Sequence, residues 1–394
     1  MTDTIQTIRH VVEALAPLTR RAGSEQEREA AEWIADRLES AGAPTSIDEE
    51  WFHDGYARQL LPLGIAGGVA ALLAAAGRKR ILATAVGSLA TAGIVDDVSN
   101  GTRLWRKRIQ APQRTWNVVA EVGPPDAQRT LAVLAHHDAA PTGKLFDQTP
   151  AQWLAKNRPD LIERQENSFP VWWPSGGAPA LAVVAAVTGS RKLGALAVAL
   201  SALSVGMGID VARSPIVPGA NDNLSGVGAL VALAERLRQE PVPGLRVLLA
   251  SCGAEEVLQG GIYGFTERHL SRRRRDQTWV LNLDTIGSPS LVLLEGEGAF
   301  RMEDYTHPGF RDLVAGAAER SAVSLHRGAR SRASTDSVIP SRAGFPTATI
   351  ISWDPRTRLP SNYHLMSDVP ESVRYDTVAD AVRLAYAVAE DLAE

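Results

Sequence analysis

The stretch "LRVLLASCGAEEVLQGG", residues 245–261, joins an apolar run to two adjacent glutamates, Glu255 and Glu256. The apolar run has the composition of a strand that is buried on both faces of a sheet. Two neighbouring carboxylates at the end of such a strand repel each other and lose hydration unless a cation or a proton compensates them. The stretch therefore predicts a buried strand with a charged site at its carboxyl end.

Further segments of the chain repeat this strand pattern and alternate with helical patterns. The predicted strands, besides the one above, are 115–122, 130–136, 278–284 and 346–352. The predicted helices are 24–41, 225–240, 309–322 and about 371–393, and the first has capping-box spacing between Ser24 and Glu27. The alternation predicts a three-layer αβα domain with a mixed, mostly parallel central sheet, whose sites gather beyond the carboxyl ends of the strands.

Composition and charge limit the classes of protein that fit. The chain has 394 residues, 45% of them hydrophobic, which suits one large domain with insertions or two domains. Its net charge of −4 argues against a nucleic-acid partner. The single cysteine, Cys252, is predicted to be a small core residue. The amphipathic start, "MTDTIQTIRHVVEALAP", lacks the features of a cleavable signal peptide.

Two apolar regions, 59–95 and 177–209, depart from the α/β alternation. Each contains two apolar stretches separated by a short basic tip, which predicts a helical hairpin. Most arms would reach about 20–28 Å, against about 30 Å for the hydrocarbon core of a bilayer. Two alternatives stay open: membrane contact through these hairpins, or a soluble four-helix subdomain packed on the main domain or on a partner. The expected location is accordingly membrane-associated or cytoplasmic, and the oligomeric state is not predicted.

Five short motifs at predicted strand ends and loops offer metal ligands. They are "AHHD" (135–138), "GANDNLSG" (219–226), "AEE" (254–256), "LNLD" (281–284) and "YHLMSD" (363–368). One histidine at a strand end is usually an ordinary structural residue, but five such motifs in one α/β chain are not expected by chance. Two imidazoles and three carboxylates together form a ligand set of the zinc type.

The spacing within two of these motifs suggests how their side chains act. Alternate side chains of a strand share a face, so His136 and Asp138 point the same way and His137, which we expect to be structural, faces away. Asp138 can then accept a hydrogen bond from one imidazole nitrogen of His136 while the other nitrogen binds a metal. Asp222 lies in a turn before a helix, where its two oxygens can bridge two ions.

The five motifs, in this order, resemble those of the co-catalytic di-zinc peptidases. That family includes bacterial leucyl-type aminopeptidases, glutamate carboxypeptidase and glutaminyl cyclase. The resemblance covers roughly 1–50, 112–148 and 214–394, and it implies the zinc-peptidase fold for the α/β domain.

The resemblance also implies a domain organisation. It predicts a single catalytic domain over 1–394 with two insertions. The first insertion, 52–111, holds one apolar hairpin, and the second, 139–213, holds a loop and the other hairpin.

The family pattern implies two Zn²⁺ ions and a role for each motif residue. The implied roles are ligands of one zinc (His136 and Asp284), ligands of the other zinc (Glu256 and His364), a ligand that bridges both (Asp222), a general base (Glu255) and a hydrogen-bond partner of the first histidine (Asp138). Asp336 in "STDS" stands where the family more often has Ser-Asp-His, so its role stays open.

The implied function is hydrolysis of peptide bonds through a water that bridges the two zinc ions. An aminopeptidase that releases residues from peptides with a free N-terminus fits the resemblance best. Two alternatives stay open, namely a glutaminyl cyclase-like or other amide hydrolase on the same fold, and a catalytically inactive binding module. A cyclase would keep a single zinc, and an inactive relative would have lost ligands or the base, whereas all five ligands and Glu255 are present.

Overall fold

The computed structural model describes residues 2–55 and 57–394; Met1 and Tyr56, which fall within the predicted domain and its first insertion, lie outside the described residues. Its helices are α1 (Thr2–Leu15), α2 (Glu25–Ser40), α3 (Ala57–Ala75), α4 (Arg80–Val98), α5 (Leu104–Ile109), α6 (Thr149–Asn157), α7 (Pro159–Glu163), α8 (Trp173–Thr188), α9 (Arg191–Arg213), α10 (Ser225–Gln239), α11 (Gly261–Phe265), α12 (Pro308–Arg320), α13 (Val338–Arg342) and α14 (Tyr375–Ala393). Its strands are β1 (Thr45–His53), β2 (Pro112–Val122), β3 (Arg129–His136), β4 (Leu245–Cys252), β5 (Thr278–Leu283), β6 (Ser290–Glu297), β7 (Glu303–Asp304), β8 (Leu325–Ser331) and β9 (Thr347–Trp353).

The strands form one nine-stranded mixed sheet. Its order is β1-β2-β4-β3-β5-β9-β6-β7, and β8 pairs with β6. The four central strands, β4, β3, β5 and β9, run parallel to one another. On either side of them, β2 and β6 join in antiparallel pairing. The predicted mixed α/β sheet is confirmed, and the parallel pairs that position a site lie at its centre.

Helices cover both faces of this sheet, as a three-layer fold requires. The central strand β3 shows the reason in its sequence, because Leu131 and Val133 face the larger apolar core and Ala132 and Leu134 face the smaller one. Helices α1, α2, α10, α12 and α14 contribute to the larger core. A strand that is buried on both faces has a continuous apolar sequence, and this is why the sequence predicted a strand at 130–136.

The cap of α2 differs in part from its prediction. The Ser24 hydroxyl accepts the backbone N–H of Glu27 at 3.1 Å, as a capping box requires. The Glu27 carboxylate, however, accepts the N–H of Gly23 at 2.7 Å, the hydroxyl of Thr115 and the N–H of Ala254. Glu27 is therefore a buried link between α2, the sheet and the turn that carries Glu255.

The two apolar regions are the helical hairpins α3–α4 and α8–α9. They pack on each other into a single group of four helices, which we call the hairpin bundle. Within the part of the chain that the structure describes, α3, α4 and α9 are long and apolar enough to cross a membrane by length and composition. At the end of the bundle that joins the main domain, Leu60 and Ile94 pack with Leu258, two residues beyond Glu256. The insertion boundaries at 52–111 and 139–213 stay a prediction.

Candidate metal centre

Three parallel strands end at the same edge of the sheet and deliver side chains to one place. His136 is the last residue of β3 and lies beside Cys252, the last residue of β4. Asp284 follows β5 directly, and its backbone N–H donates to the carbonyl of Ile350 in β9 at 3.0 Å. The site therefore lies beyond the carboxyl ends of the central parallel strands, as the fold class predicts.

Two groups of buried side chains at this edge could each hold a metal ion. In each group the donor atoms lie within 4.8 Å of one another, and the groups are His136, Asp222, Asp284 and Asp222, Glu256, His364. These are the five residues predicted as ligands, and they divide into the two predicted sets. The structure thus brings the five side chains together, while their roles as ligands stay a proposal.

Asp222 belongs to both groups because its two carboxylate oxygens face different partners. Its Oδ1 lies 3.3 Å from Nε2 of His136, and its Oδ2 lies 3.2 Å from Nε2 of His364. His364 Nε2 is also 3.2 Å from Oε2 of Glu256. Asp222 sits in the turn before α10, and the peptide bond that follows it is cis. One carboxylate is therefore placed to serve two ions.

The chemistry of these donors fits zinc. Among the described residues, both ring nitrogens of His364, Oδ2 of Asp222 and Oε1 of Glu256 are buried without a hydrogen bond. Buried polar atoms of this kind are normally satisfied, and one cation could satisfy Nε2 of His364 together with the carboxylates of Asp222 and Glu256, although Nδ1 on the other side of the ring cannot bind the same ion. Imidazole nitrogens and carboxylate oxygens are ligands that zinc accepts.

Asp138 connects the first strand of the site to the pair of glutamates. Its Oδ1 lies 3.4 Å from Nδ1 of His136, so the two groups are close, but no hydrogen bond joins these atoms and the predicted pairing stays a prediction. Its two oxygens also accept the backbone N–H groups of Glu255 at 2.9 Å and of Glu256 at 3.0 Å. The sequence did not reveal this second function of Asp138, which holds the Glu-Glu turn against β3.

The adjacent glutamates have different surroundings. Glu256 belongs to one ligand group, whereas Glu255 belongs to neither. The Glu255 Oε1 accepts a hydrogen bond from Nε2 of Gln259 at 2.7 Å. The preceding Ala254 has a positive φ of 57°, so the chain turns sharply just before the pair. This geometry separates a potential ligand from a carboxylate that is free for another task.

Asp368 and Arg20 support the site and escaped the sequence analysis. Asp368 is fully buried, and its oxygens accept the backbone N–H groups of Asn221 at 2.8 Å and Asp222 at 3.0 Å. The fully buried Arg20 donates to the carbonyls of His137 and Pro218, both at 2.8 Å. The position of Asp368, four residues after His364 in "YHLMSD", was the only available signal.

Aromatic rings fix the orientation of His364. The ring of Tyr363 stacks on it with a centroid separation of 3.9 Å, and Phe146 lies at 4.3 Å. Phe146 belongs to the short turn 144–146, whose first N–H donates to Asp210 of α9 at 2.7 Å. This turn therefore joins the base of the hairpin bundle to a predicted zinc ligand.

Three other residues singled out in the sequence lie just outside the ligand groups. His137 is buried, and its Nδ1 hydrogen bonds with the hydroxyl of Ser251 at 2.9 Å, which suits the structural function predicted for it. Cys252 is fully buried. Asp336 is buried as well; burial, opposed by His136 and reinforced by Asp138 and Asp284, raises its pKa to about 8.

Several buried carboxyl groups lie close together in the site and shift the pKa values of its residues. Burial raises the pKa of Glu256 to about 7 even though His364 opposes the shift. Burial alone would lower the pKa of His364, but the carboxylates of Glu256 and Asp222 outweigh it and raise that pKa to about 10. At neutral pH the imidazole therefore holds a proton that a metal ion must displace.

We expect zinc binding to release protons and to weaken as the pH falls. Because the His364 pKa is about 10 in the metal-free protein, lowering the pH from 9 to 6 should reduce the apparent affinity about tenfold per pH unit for each proton displaced. Calorimetry in two buffers with different heats of ionisation measures the protons released. A binding heat that is the same in both buffers would contradict this prediction.

We also expect Asp368→Asn to weaken metal binding without contact to the metal. An asparagine would turn its NH₂ group toward one of the two backbone N–H donors of Asn221 and Asp222, so the turn carrying Asp222 would shift. Residues that orient ligands typically contribute about 10–100-fold to metal affinity. Competition with a zinc chelator measures the loss. The matched control is Asp380→Asn on the exposed face of α14, which should leave the affinity unchanged.

A sheet edge with two ligand groups that share one carboxylate is typical of a metal-dependent hydrolase. The chain belongs to peptidase family M28, whose model matches residues 184–389, more than half of the 394 residues. The match contains Asp222, Glu255, Glu256 and the later ligands; His136 precedes it. A comparison with curated proteins finds no match.

Solved structures share the fold along almost the whole chain. A zinc aminopeptidase from Bacillus subtilis aligns with a TM-score of 0.57 at 15% identity, covering 98% of this chain and 94% of that one. A glutaminyl cyclase from Bacteroides thetaiotaomicron aligns with a TM-score of 0.56 at 16% identity, covering 98% and 97%. A leucine aminopeptidase precursor from Bacteroides thetaiotaomicron aligns with a TM-score of 0.56 at 15% identity. The alignment covers 98% of this chain and 97% of that one. At such low identity the likeness establishes the fold, which confirms the predicted zinc-peptidase architecture.

Proposed function

We propose that this M28 peptidase is a zinc-dependent aminopeptidase that removes residues from peptides with a free N-terminus. The observation that carries the proposal is the pair of ligand groups sharing Asp222, with Glu255 beside them and outside both. A metallopeptidase needs both elements, namely fixed metal ligands and a carboxylate that is not one of them.

In this proposal two zinc ions occupy the two groups. His136 and Asp284 hold the first, Glu256 and His364 hold the second, and Asp222 serves both, as its two oxygens allow. When bound, zinc polarises the peptide carbonyl and lowers the pKa of a water molecule. The buried carboxylates of Asp368 and Asp138 hold the backbone of Asp222 and Glu256 in place, so these ligands need little reorganisation during the reaction.

Glu255 is the proposed general base. Burial raises its pKa well above that of an exposed glutamate; the positive charge of His136 opposes this shift, and the carboxylates of Asp336 and Glu256 add to it. A general base must be ionised, and cations in the two adjacent groups would favour the carboxylate form of Glu255 over the protonated form that burial favours. Glu255 then takes the proton of the attacking water and passes it to the leaving amine. The hydrogen bond from Gln259 holds one of its oxygens in place during both transfers.

Asp138 is the proposed positioning residue of this reaction. Its contact with Nδ1 leaves Nε2 of His136 directed at Asp222. Because the same carboxylate holds the N–H groups of Glu255 and Glu256, it sets the distance between the base and the ligands. A carboxylate behind a ligating histidine also raises the basicity of that ligand.

A glutaminyl cyclase is the second candidate, and the fold comparison favours it as much as the first. The glutaminyl cyclase of Bacteroides thetaiotaomicron matches this fold as well as the leucine aminopeptidase precursor of that organism does. Five ligands in two groups support a two-metal enzyme over a single-zinc cyclase. An inactive binding module fits poorly, because every predicted ligand and the base are present and buried together.

A substrate panel on zinc-quantified protein tests the proposal. It compares chromogenic amides of free amino acids, the same amides with an acylated amino group, and a peptide that begins with glutamine. We expect release of the chromophore from the free amides only. Ammonia release from the glutamine peptide without amide hydrolysis would favour the cyclase, and no turnover in any arm would favour the binding module.

A further inference from the structure

The hairpin bundle exposes many of its large apolar side chains, although Leu60, Leu63 and Ile94 are buried where it joins the main domain. Alanine and glycine together make up most of its buried residues, and two clusters in its interior consist of Ala70, Ala71, Ala182, Ala197 and Ala74, Ala83, Ala185, Ala186. Large apolar side chains of the same helices are exposed, among them Ile65, Leu72, Leu89, Val187, Leu196 and Leu203. A helix of a water-soluble bundle has the opposite arrangement, with its large apolar residues inside.

The surface of the bundle also lacks charge. Four stretches, 59–77, 81–95, 173–190 and 193–209, contain no Asp, Glu, Lys or Arg. Charged residues normally cover the exposed face of a soluble helix, so this surface is not adapted to water. The exposed apolar residues occur on all four helices. A protein partner would cover one side of such a bundle, whereas a surrounding apolar solvent would cover all of it.

Small residues let the four backbones approach closely. A Cβ added to Gly87 of α4 would lie 2.8 Å from Cγ2 of Val183 in α8. One added to Gly194 of α9 would lie 2.5 Å from the backbone N of Ala75 in α3. Close packing through glycine and alanine is the usual way in which helices associate where no hydrophobic effect drives them together.

The two ends of the bundle differ in character. Both hairpin tips lie at one end, because the Gly77 turn adjoins Arg191 and the Gly189 turn adjoins Arg80. Arg78, Lys79 and Lys192 complete this basic end, and the tips 77–80 and 189–192 contain no acidic residue. At the opposite end Trp173, an exposed aromatic residue, begins α8, and the exposed Phe169 lies four residues before it. Helices α3 and α4, with 19 residues each, are about 28 Å long.

We propose that the hairpin bundle is embedded in a lipid bilayer. Its length matches the hydrocarbon core of about 30 Å. The basic tips complement the anionic lipid headgroups of one leaflet, and Phe169 and Trp173 lie at the opposite interface, where aromatic side chains are enriched. The catalytic domain is then held at the membrane surface. This inference concerns a different surface from the metal centre and does not depend on the aminopeptidase proposal.

Flotation with vesicles tests this inference without any measurement of activity. The full chain, purified in detergent, is reconstituted with vesicles of phosphatidylcholine and phosphatidylglycerol. We expect it to float with the vesicles and to resist extraction at high salt and alkaline pH. The combined change Leu72→Lys, Leu89→Lys and Leu196→Lys, at exposed positions, should lower the floating fraction about tenfold or more. The matched control Ile47→Lys with Trp51→Lys, at exposed apolar positions on β1, should float like the unchanged protein.

A depth measurement keeps the test decisive if the triple variant does not fold. The single native cysteine, Cys252, is fully buried, so a thiol dye reacts only with an introduced cysteine. A dye on Leu89→Cys, at the middle of α4, should be quenched by lipids with a nitroxide in mid-chain. A dye on Arg78→Cys should be quenched by headgroup nitroxides, and a dye on Ile47→Cys by neither.

Two results would overturn the inference. One is a protein that is monodisperse without detergent and stays behind when the vesicles float, with no mid-chain quenching at the Leu89 position. The other is a detergent-free complex in which a protein partner or a second copy of the chain protects the Leu89 position from the dye. That result would assign the apolar surface of the bundle to a protein interface.

Discussion

Glu255→Gln is expected to lower kcat by about 10²–10⁴-fold while the metal content stays nearly unchanged. Glutamine has almost the same shape and can still accept the hydrogen bond from Gln259. It cannot take a proton from water, so the proposed general-base step is lost. Steady-state kinetics on a chromogenic amino-acid amide, together with elemental analysis of the same preparation, measure both quantities.

The adjacent residue provides the matched control. Glu256→Gln makes the same chemical change one position further along, but it removes a charged donor from the group that contains His364. We expect this variant to lose metal from that group, with activity falling as a consequence. Near-normal turnover of Glu255→Gln with its metal in place would show that another residue is the base.

Asp222→Asn is expected to weaken both metal sites together, each by more than about 10²-fold. The Oδ1 and Oδ2 atoms of Asp222 face His136 and His364 respectively. An amide replaces one of these oxygens by NH₂ and removes the negative charge that both groups share. Equilibrium dialysis against buffered zinc, followed by elemental analysis, measures the occupancy of the protein at each free zinc concentration.

Asp284→Asn is the matched control, because Asp284 is a proposed ligand of one metal ion whereas Asp222 is a proposed ligand of both. Asp284 belongs only to the group with His136, so this variant should weaken one site and leave the group of Glu256 and His364 able to bind. If Asp222→Asn and Asp284→Asn had the same effect, namely loss of a single ion, the proposal that Asp222 serves both sites would be wrong.

Much of the fold follows from local patterns in the sequence. The strands β3, β4 and β5 are buried on both faces, so their apolar runs are unmistakable. The edge strand β8, "LHRGARS", is polar and mostly accessible, and it is a strand only because β6 offers it backbone partners. An edge strand of this composition carries no signal of its own. The strands β1, β6 and β7 were also missed.

The candidate site likewise contains residues that local sequence patterns predict and residues that they do not. His136, Asp222, Glu255 and the other predicted residues lie in short motifs at strand ends and turns, where residue type and position both carry information. The contacts of Asp368 with the N–H groups of Asn221 and Asp222 join segments 147 and 146 positions apart. A side chain that acts through the backbone of a distant segment leaves no local pattern to recognise. The contacts of Arg20, and those of Glu27 with Thr115 and Ala254, were not predicted for the same reason.

For the hairpins, the sequence predicted the helices but not their environment. Charge-free apolar stretches with basic tips predicted helices, and α3, α4, α8 and α9 are those helices. The sequence left two environments open, since apolar helices occur both in cores and in membranes. Only the packing shows that alanine clusters fill the middle of the bundle while Leu72, Leu89 and Leu196 are exposed, and this distinction favours the bilayer.

Anomalous diffraction at the zinc absorption edge, from crystals of the zinc-loaded protein, tests the central proposal most directly. We expect two peaks that share Asp222, one among His136 and Asp284 and the other among Glu256 and His364. A single peak at full zinc loading, or peaks away from these five side chains, would contradict the two-metal centre.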